Sequence, residues 1–317
     1  MSIDKLSGVS WSSISKVDGV AVANISKVAG VDVPADYFLD THAGAVAAYS
    51  LRKLSSTATT AITVENSSGT TADIGFDSNG DLDTSALTTH CGSNYGRVSK
   101  WWDQSGNGNH MEQTTAASRP YIVDASGNVI TTTTNSIPAL DFYFGSTARW
   151  LQDTFVSNNG DHYVASVLAE FRTVTTGQQI ISQWSATATQ QVLQITCSAF
   201  SWLRSACRYD TASNNLGRAD TTDTVSINTE YIITSYMSAS PYEGDTDFNG
   251  DKTDTDIGFP TTGNIRNNSQ LMAIGRRSDN GAAQFQGFMS EFIFWSDTTI
   301  PSQANIMTDT NTHYSVF

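Results

Sequence analysis

The first thirty-five residues repeat one short pattern of apolar and polar positions. Ile3-Asp4-Lys5-Leu6-Ser7-Gly8-Val9, Ile14-Ser15-Lys16-Val17-Asp18-Gly19-Val20 and Ile25-Ser26-Lys27-Val28-Ala29-Gly30-Val31 stand eleven residues apart. An apolar period of this length is compatible with a right-handed helical supercoil. The β-branched positions and a glycine in every unit oppose helix. The pattern therefore predicts short strand–turn units, each too small to bury its own apolar side chains. Val33-Pro34-Ala35-Asp36 breaks the repeat. The break divides the chain into an arm, residues 1–35, and a domain, residues 36–317. Ile3, Trp11, Ile14 and Ile25 are the arm's candidate attachment residues, seated on a larger assembly or on other copies of the chain. The alternative is an edge extension folded onto its own domain.

Beyond the break, Ala43, Val46, Ala47, Leu51 and Leu54 fall near i, i+3, i+4 spacing and predict a helix over 40–56, capped by Asp40 or Thr41. Residues 60–64 and 71–76 alternate as a hairpin around Ser67-Ser68-Gly69. Asp77 to Asp83 reads as a solvated acidic turn, and 84–91 as a short helix. Strands are expected at 97–102, 120–123, 137–142 and 150–151. From 161 onward, 163–171, 179–184, 191–197, 202–209, 230–237, 270–274 and 288–295 have strand composition or alternation. Strands of this length with turn residues between them predict an all-β fold, a two-sheet jelly-roll sandwich with a few short helices.

Composition agrees. Of 317 residues only 15% are charged, and the formal net charge is −14, which argues against nucleic acid as a partner. Three cysteines, Cys91, Cys197 and Cys207, do not make a disulfide framework. Cys197 and Cys207 are placed where they could face each other across a hairpin. No apolar run reaches the roughly 18 residues of a membrane span, so no membrane insertion is expected. No basic segment followed by an apolar core opens the chain, so synthesis in a cytoplasm without a signal peptide is expected.

The most distinctive stretch is Trp101-Trp102-Asp103-Gln104-Ser105-Gly106-Asn107-Gly108-Asn109-His110. Two tryptophans run into a turn whose Gly and Asn residues tolerate positive φ. It reads either as a tight inter-strand turn or as the binding rim of a sandwich. Together with Tyr49-Ser50-Leu51-Arg52-Lys53-Leu54, Asp73-Ile74-Gly75-Phe76, Leu82-Asp83-Thr84 and Gln113, it resembles the sandwich domain of arabinofuranosidase B-type glycosidases. The same pattern is similar to concanavalin A-like or laminin G-like bacteriophage virion proteins of the tail-fibre, head-fibre or decoration type. The resemblance is strongest over 45–145. Gly287 to Trp295, followed by Ile300 to Ile306, resembles the terminal strand and short helix of concanavalin A-like domains.

The glycosidase resemblance implies two carboxylates flanking a scissile bond. The family's nucleophile strand corresponds to Gln191-Val192-Leu193-Gln194-Ile195-Thr196, which holds no acid. Its acid/base position aligns with Arg277, with Asp279 close by. The family's paired cysteines near Cys91 are absent. Activity would require Asp279 to converge with an acid such as Glu170 or Glu291, so the expectation is a chain that is not an enzyme.

Two binding chemistries remain. Asp245, Asp247, Asn249, Gly250, Asp251 and Asp256 fit an EF-hand-type Ca²⁺ spacing, with Asp at the twelfth position. The other reading of that stretch is a charged surface loop. Trp150, Trp184, Trp202, Tyr209 and Tyr242 are candidates to stack on sugar rings, with Asp103 and Asn107 to read hydroxyls. The resemblance then implies a virion-surface structural or adhesion protein. Its partners would be other virion proteins, copies of itself and host-surface polysaccharide. The alternative is a glycoside hydrolase of arabinofuranosidase type.

Overall fold

The computed structural model describes residues 5–6, 9–10, 16–17, 20–21, 27–28, 31–32 and 37–317, apart from 144, 146, 157–161, 175–176, 185–190, 199, 211–214, 240, 252–253, 267–268, 279–282 and 298–299. In the arm, β1 (Lys5–Leu6) pairs with β2 (Val9–Ser10), β3 (Lys16–Val17) with β4 (Val20–Ala21), and β5 (Lys27–Val28) with β6 (Val31–Asp32). The register repeats with the sequence: Leu6 lies opposite Val9, Val17 opposite Val20 and Val28 opposite Val31. Each repeat thus contributes one short antiparallel strand pair. Ile3, Trp11, Ile14 and Ile25 lie outside the described residues.

The domain begins with α1 (Phe38–Thr41), β7 (Ala45–Ser50), β8 (Ile62–Asn66), β9 (Thr71–Ile74), α2 (Thr84–Cys91), β10 (Gly96–Trp101), β11 (Met111–Glu112), β12 (Tyr121–Val123), β13 (Leu140–Asp141) and β14 (Leu151–Val156). It continues with β15 (His162–Phe171), β16 (Gln178–Gln183), β17 (Leu193–Cys197), β18 (Trp202–Arg208), β19 (Leu216–Thr224), β20 (Glu230–Ala239), β21 (Tyr242–Phe248), β22 (Asp254–Ile257), β23 (Ser269–Ile274), β24 (Gly287–Ser296) and α3 (Gln303–Tyr314). One antiparallel ladder runs β7–β24–β15–β20–β21. The other runs β9–β8–β10–β11–β14–β23–β16–β17–β18–β19–β22. Strands β12 and β13 bridge the two between β10 and β24.

The main apolar core fills the space between the ladders. Along β15, Tyr163, Ala165, Val167, Ala169 and Phe171 join it. Successive strand residues point to opposite faces. Val164 accordingly packs with Phe38 of α1, Trp295 and Ile306 of α3, and Leu168 with Ile232 and Met307 of α3. Burial on both faces explains why β15 reads as a nearly continuous apolar run.

Two expectations are corrected. The helix over 40–56 is instead the one-turn α1, a bend at Gly44 (φ +82°) and strand β7. Of the stripe's alanines, Ala43 is exposed ahead of the strand and Ala47 is buried with Ala45 and Ala48 in β7, where pairing with β24 overrides local propensity. Cys197 and Cys207 do not face each other: Cys197 lies opposite Leu203 and Cys207 opposite Leu193. Four residues along a strand separate the two by about 13 Å, beyond disulfide reach. All three cysteines are free and buried.

Candidate functional site

The loop after β10 is built as a clamp on a strand edge. Trp101 is wholly buried, its ring 5.9 Å from that of Tyr49. Trp102 donates its indole N–H to Thr63 Oγ1 (2.9 Å) and packs its ring 4.5 Å from His110. The Asp103 carboxylate accepts the backbone N–H groups of Ala48, Ser105 and Asn109 and the Ser105 hydroxyl, at 2.8–3.0 Å. Asn107 donates to the carbonyls of Ala45 and Val46, and Asn109 to that of Val46. The Gln104 side chain donates to Ser50 and Arg52 carbonyls and accepts from Leu54 N–H. Among the described residues β7 pairs only with β24, so its other edge needs partners, and this loop supplies them. Gly106 (φ +89°) and Gly108 (φ +78°) make the turns that bring these side chains back. Asp103 and Asn107, candidates for reading sugar hydroxyls, spend their hydrogen bonds on the chain's own backbone.

The large ladder presents a second, more open feature. Its register carries one line across the sheet: Glu112, Gln152, Ala273, Ser182, Gln194, Ala206 and Arg218 lie opposite one another in turn. Their neighbours Leu151, Met272, Ile181, Leu193, Ile195, Cys207 and Ala219 belong to the core. The line therefore faces away from it. Ala273, Ser182 and Ala206 are nevertheless fully buried and Gln194 is 8% exposed, so flanking side chains stand above them.

Three of those flanking groups are arginine–tryptophan stacks. The guanidinium of Arg276 lies 3.9 Å from the Trp150 ring centre and donates to Gln152 Oε1 at 3.0 Å. Arg208 lies 5.5 Å from Trp184, and Arg204 lies 4.6 Å from Trp202. Arg204 also makes a two-point ion pair with Asp220 (2.7 and 2.9 Å). Burial and the neighbouring Arg266 both push the Arg208 pKa down. The candidate tryptophans are thus half-buried, each with an arginine over its ring. Ser278 fixes Trp184 by accepting its N–H and donating to its carbonyl. Trp202 and Arg208 begin and end β18, so Trp202 and the Trp184 stack lie about 20 Å apart along it.

Tyr209 is corrected: it is fully buried, and its hydroxyl donates to the Ser238 carbonyl at 2.7 Å, so no sugar reaches it. Tyr242 packs edge-on against it, with ring centres 5.7 Å apart, in the small ladder and away from the line above.

At the Glu112 end lies a cavity of about 400 Å³, lined by Gly108, His110, Glu112, Gln152, Asp153 and Leu271 among others. Lys100 holds Glu112 in an ion pair at 2.7 Å. Burial, and then the nearby charge of Glu112, push the Asp153 carboxyl above its usual range. The sequence offered no sign of Gln152, Asp153 or the arginines; only cross-strand register brings them together.

The buried glutamates are all engaged internally. Glu170 accepts from the N–H and hydroxyl of Thr133, both at 2.6 Å. Glu230 accepts from the backbone N–H and side chain of Asn135. Glu291 is wholly buried and receives two bonds from Arg52 (2.8 and 3.0 Å), one from Ser50 and one from Tyr314. On the strand where the family resemblance places a nucleophile, Gln194 and Thr196 face away from the core. Gln194 accepts from Gln179 at 3.0 Å. Arg277 is half-buried, and Asp279 lies outside the described residues.

The proposed calcium loop is instead two strands and the turn that carries the chain from one ladder to the other. Asp245 and Asp247 lie on β21, opposite Tyr236 and Thr234, and Asp256 lies on β22, opposite Ala219. Asn249 (φ +52°) and Gly250 (φ +81°) make the turn. The Asn249 carboxamide accepts from Ile232 N–H and donates to the Glu230 carbonyl. The EF-hand spacing requires ligands converging from a loop, and these residues are spread along two strands, so they do not fit it. Among the described residues no group of three or more His, Cys, Asp or Glu is placed to hold a metal.

No family model and no curated protein matches the sequence. Solved structures do match the fold. A GH54 α-L-arabinofuranosidase soaked with a cyclic sulfate inhibitor superposes with a TM-score of 0.56 at 16% identity. An arabinofuranosidase complexed with arabinofuranosyl-α-1,2-xylobiose does so with a TM-score of 0.54 at 15% identity. The alignments cover 88% of this chain and 63% of each enzyme chain, so the protein spans less than two thirds of their length. This chain has their β-sandwich fold. At this identity the likeness concerns fold alone.

Proposed function

We propose that this protein is a non-catalytic glycan-binding sandwich, carried on the surface of a bacteriophage particle and docked there through its arm. The observation that carries the binding half is the outward line of the large ladder. It offers the half-buried Gln152 and the half-buried arginine–tryptophan stacks that flank the line, and its middle strands carry no carboxylate. Such a surface reads hydroxyls and holds a sugar face without supplying the paired acids that hydrolysis needs. The fold shared with arabinofuranosidases supports a carbohydrate ligand, and the internal engagement of Glu170, Glu230 and Glu291 supports binding over cleavage.

The docking half rests on the three short strand pairs of the arm. An isolated two-stranded hairpin is marginal in water, and each here has only two residue pairs. Other virion proteins, or copies of this chain, are the partners that such units require. Deleting residues 1–35 tests this: the shortened chain is expected to be absent from purified particles, and its full incorporation would refute the docking role.

A further inference from the structure

Positive charge is concentrated on one corner of a strongly acidic molecule. Arg204 and Arg208 lie on the same face of β18, two residues either side of Ala206, and Arg218 lies opposite Ala206 on β19. Arg266 joins them, its backbone N–H donating to the Arg208 carbonyl at 2.7 Å. Two of their ion-pair partners among the described residues are aspartates. Asp220 is shared between Arg204 and Arg218, and Asp210 meets Arg266 at 3.0 Å. The chain as a whole carries −14. Crowding of like charge shows in Arg208, whose pKa burial and Arg266 push down.

This corner is also shaped for oxyanions. Gln191 fixes two of the arginines: its side chain accepts from Arg208 Nε at 2.7 Å and its carbonyl from Arg266 Nη1 at 3.1 Å. Trp184 and Trp202 back the guanidinium planes of Arg208 and Arg204. Held guanidinium forks recognise carboxylate, sulfate and phosphate oxygens in two-point geometry. The Arg204 and Arg218 side chains remain 26% and 30% exposed. With a guanidinium over one face, each tryptophan meets a ligand through its arginine rather than as a bare sugar platform.

We propose that this arginine corner on β18 and β19 binds an anionic polysaccharide, one that carries an oxyanion on its sugar units. The proposal rests on the glycan-binding reading and names its ligand class. The local surplus acts at short range, since fields are screened within roughly 8 Å at physiological ionic strength. The remaining acidic surface repels densely charged chains such as duplex DNA, with one charge per roughly 1.7 Å. A sparsely charged polysaccharide meets both conditions.

The test is calorimetric titration of the full chain with polygalacturonate, dextran sulfate, neutral dextran and a DNA oligonucleotide, each at low and high salt. Polygalacturonate or dextran sulfate is expected to bind in a salt-sensitive manner, and the two arms separate carboxylate from sulfate recognition. Neutral dextran and DNA are expected not to bind. Arg208→Gln with Arg218→Gln should weaken binding about tenfold or more, while Arg218→Lys, which keeps the charge, should retain most of it. An unchanged melting temperature confirms that the variants fold. Equal binding by the Gln variant, tighter binding of DNA, or no polyanion binding by the folded wild-type chain would overturn the proposal. Binding of neutral dextran alone would overturn it while leaving the glycan-binding reading intact.

Discussion

Asp103 Oδ1 accepts the backbone N–H of Ala48 at 2.9 Å, fifty-five residues away in sequence. This contact substitutes for the missing neighbour of β7, and the same carboxylate organises the loop that delivers it. Asp103→Ala leaves several buried donors unpaired and is expected to cost about 3 kcal/mol. Urea unfolding measures this. The variant should also aggregate at concentrations where the wild type does not, because it uncovers a strand edge.

Glu291 and Arg52 form a second structural node. Burial by itself would raise the Glu291 pKa, but the adjacent Arg52 guanidinium and the Ser50 hydroxyl outweigh it and hold the carboxyl below its usual range. Arg52→Met strands a buried carboxylate and should cost about 3–5 kcal/mol, whereas Arg52→Met with Glu291→Met should recover most of the loss. The pH dependence has a definite sign. Because the folded pKa is depressed, the pair's stabilisation is fully present above the ordinary glutamate value of about 4.3. It is lost as pH falls through the lower folded value. Melting temperature against pH should therefore fall more steeply below about pH 4 in the wild type than in the double variant.

The cysteines should be inert. Burial pushes the Cys197 and Cys207 thiols up to about 12, and that of Cys91 upward. A thiol reagent at neutral pH is expected to label none of the three until denaturant is added, and reduction should leave the mass unchanged. Rapid labelling of the native chain would contradict their placement.

Tyr209→Phe and Trp150→Ala separate core from surface. The first removes a buried hydroxyl bonded to the Ser238 carbonyl and should lower stability by about 1 kcal/mol without altering ligand binding. The second removes the platform under Arg276 and should weaken binding with little change in stability. Parallel melting and titration experiments on the two variants check both.

Much of the sandwich is legible in the sequence because β-branched alternation and turn residues mark most strands directly. The 11-residue repeat is legible too, since glycine and Val/Leu positions recur at fixed offsets. Strands β19, β21 and β22 are not. Leu216 to Thr224 and Tyr242 to Ile257 are rich in Asp and Thr, and only the pairing of β19 with β18, of β21 with β20 and of β22 with β19 makes them strands. The calcium spacing misleads for the same reason, as aspartates on alternate strand positions imitate a ligand loop. Strand β7 misleads in the opposite direction, since a strand buried on both faces is apolar nearly throughout and so also supplies positions at helical spacing. The arginine corner depends on register between β18 and β19, which composition does not encode.

A sandwich that holds a glycan and leaves it whole is distinguished from one that cleaves it by applying the purified chain to an array of neutral and acidic glycans and then analysing the printed glycans by mass spectrometry. Specific retention with every glycan at its original mass is the predicted result. A blank array, or glycans shortened by the protein, would refute glycan binding without cleavage.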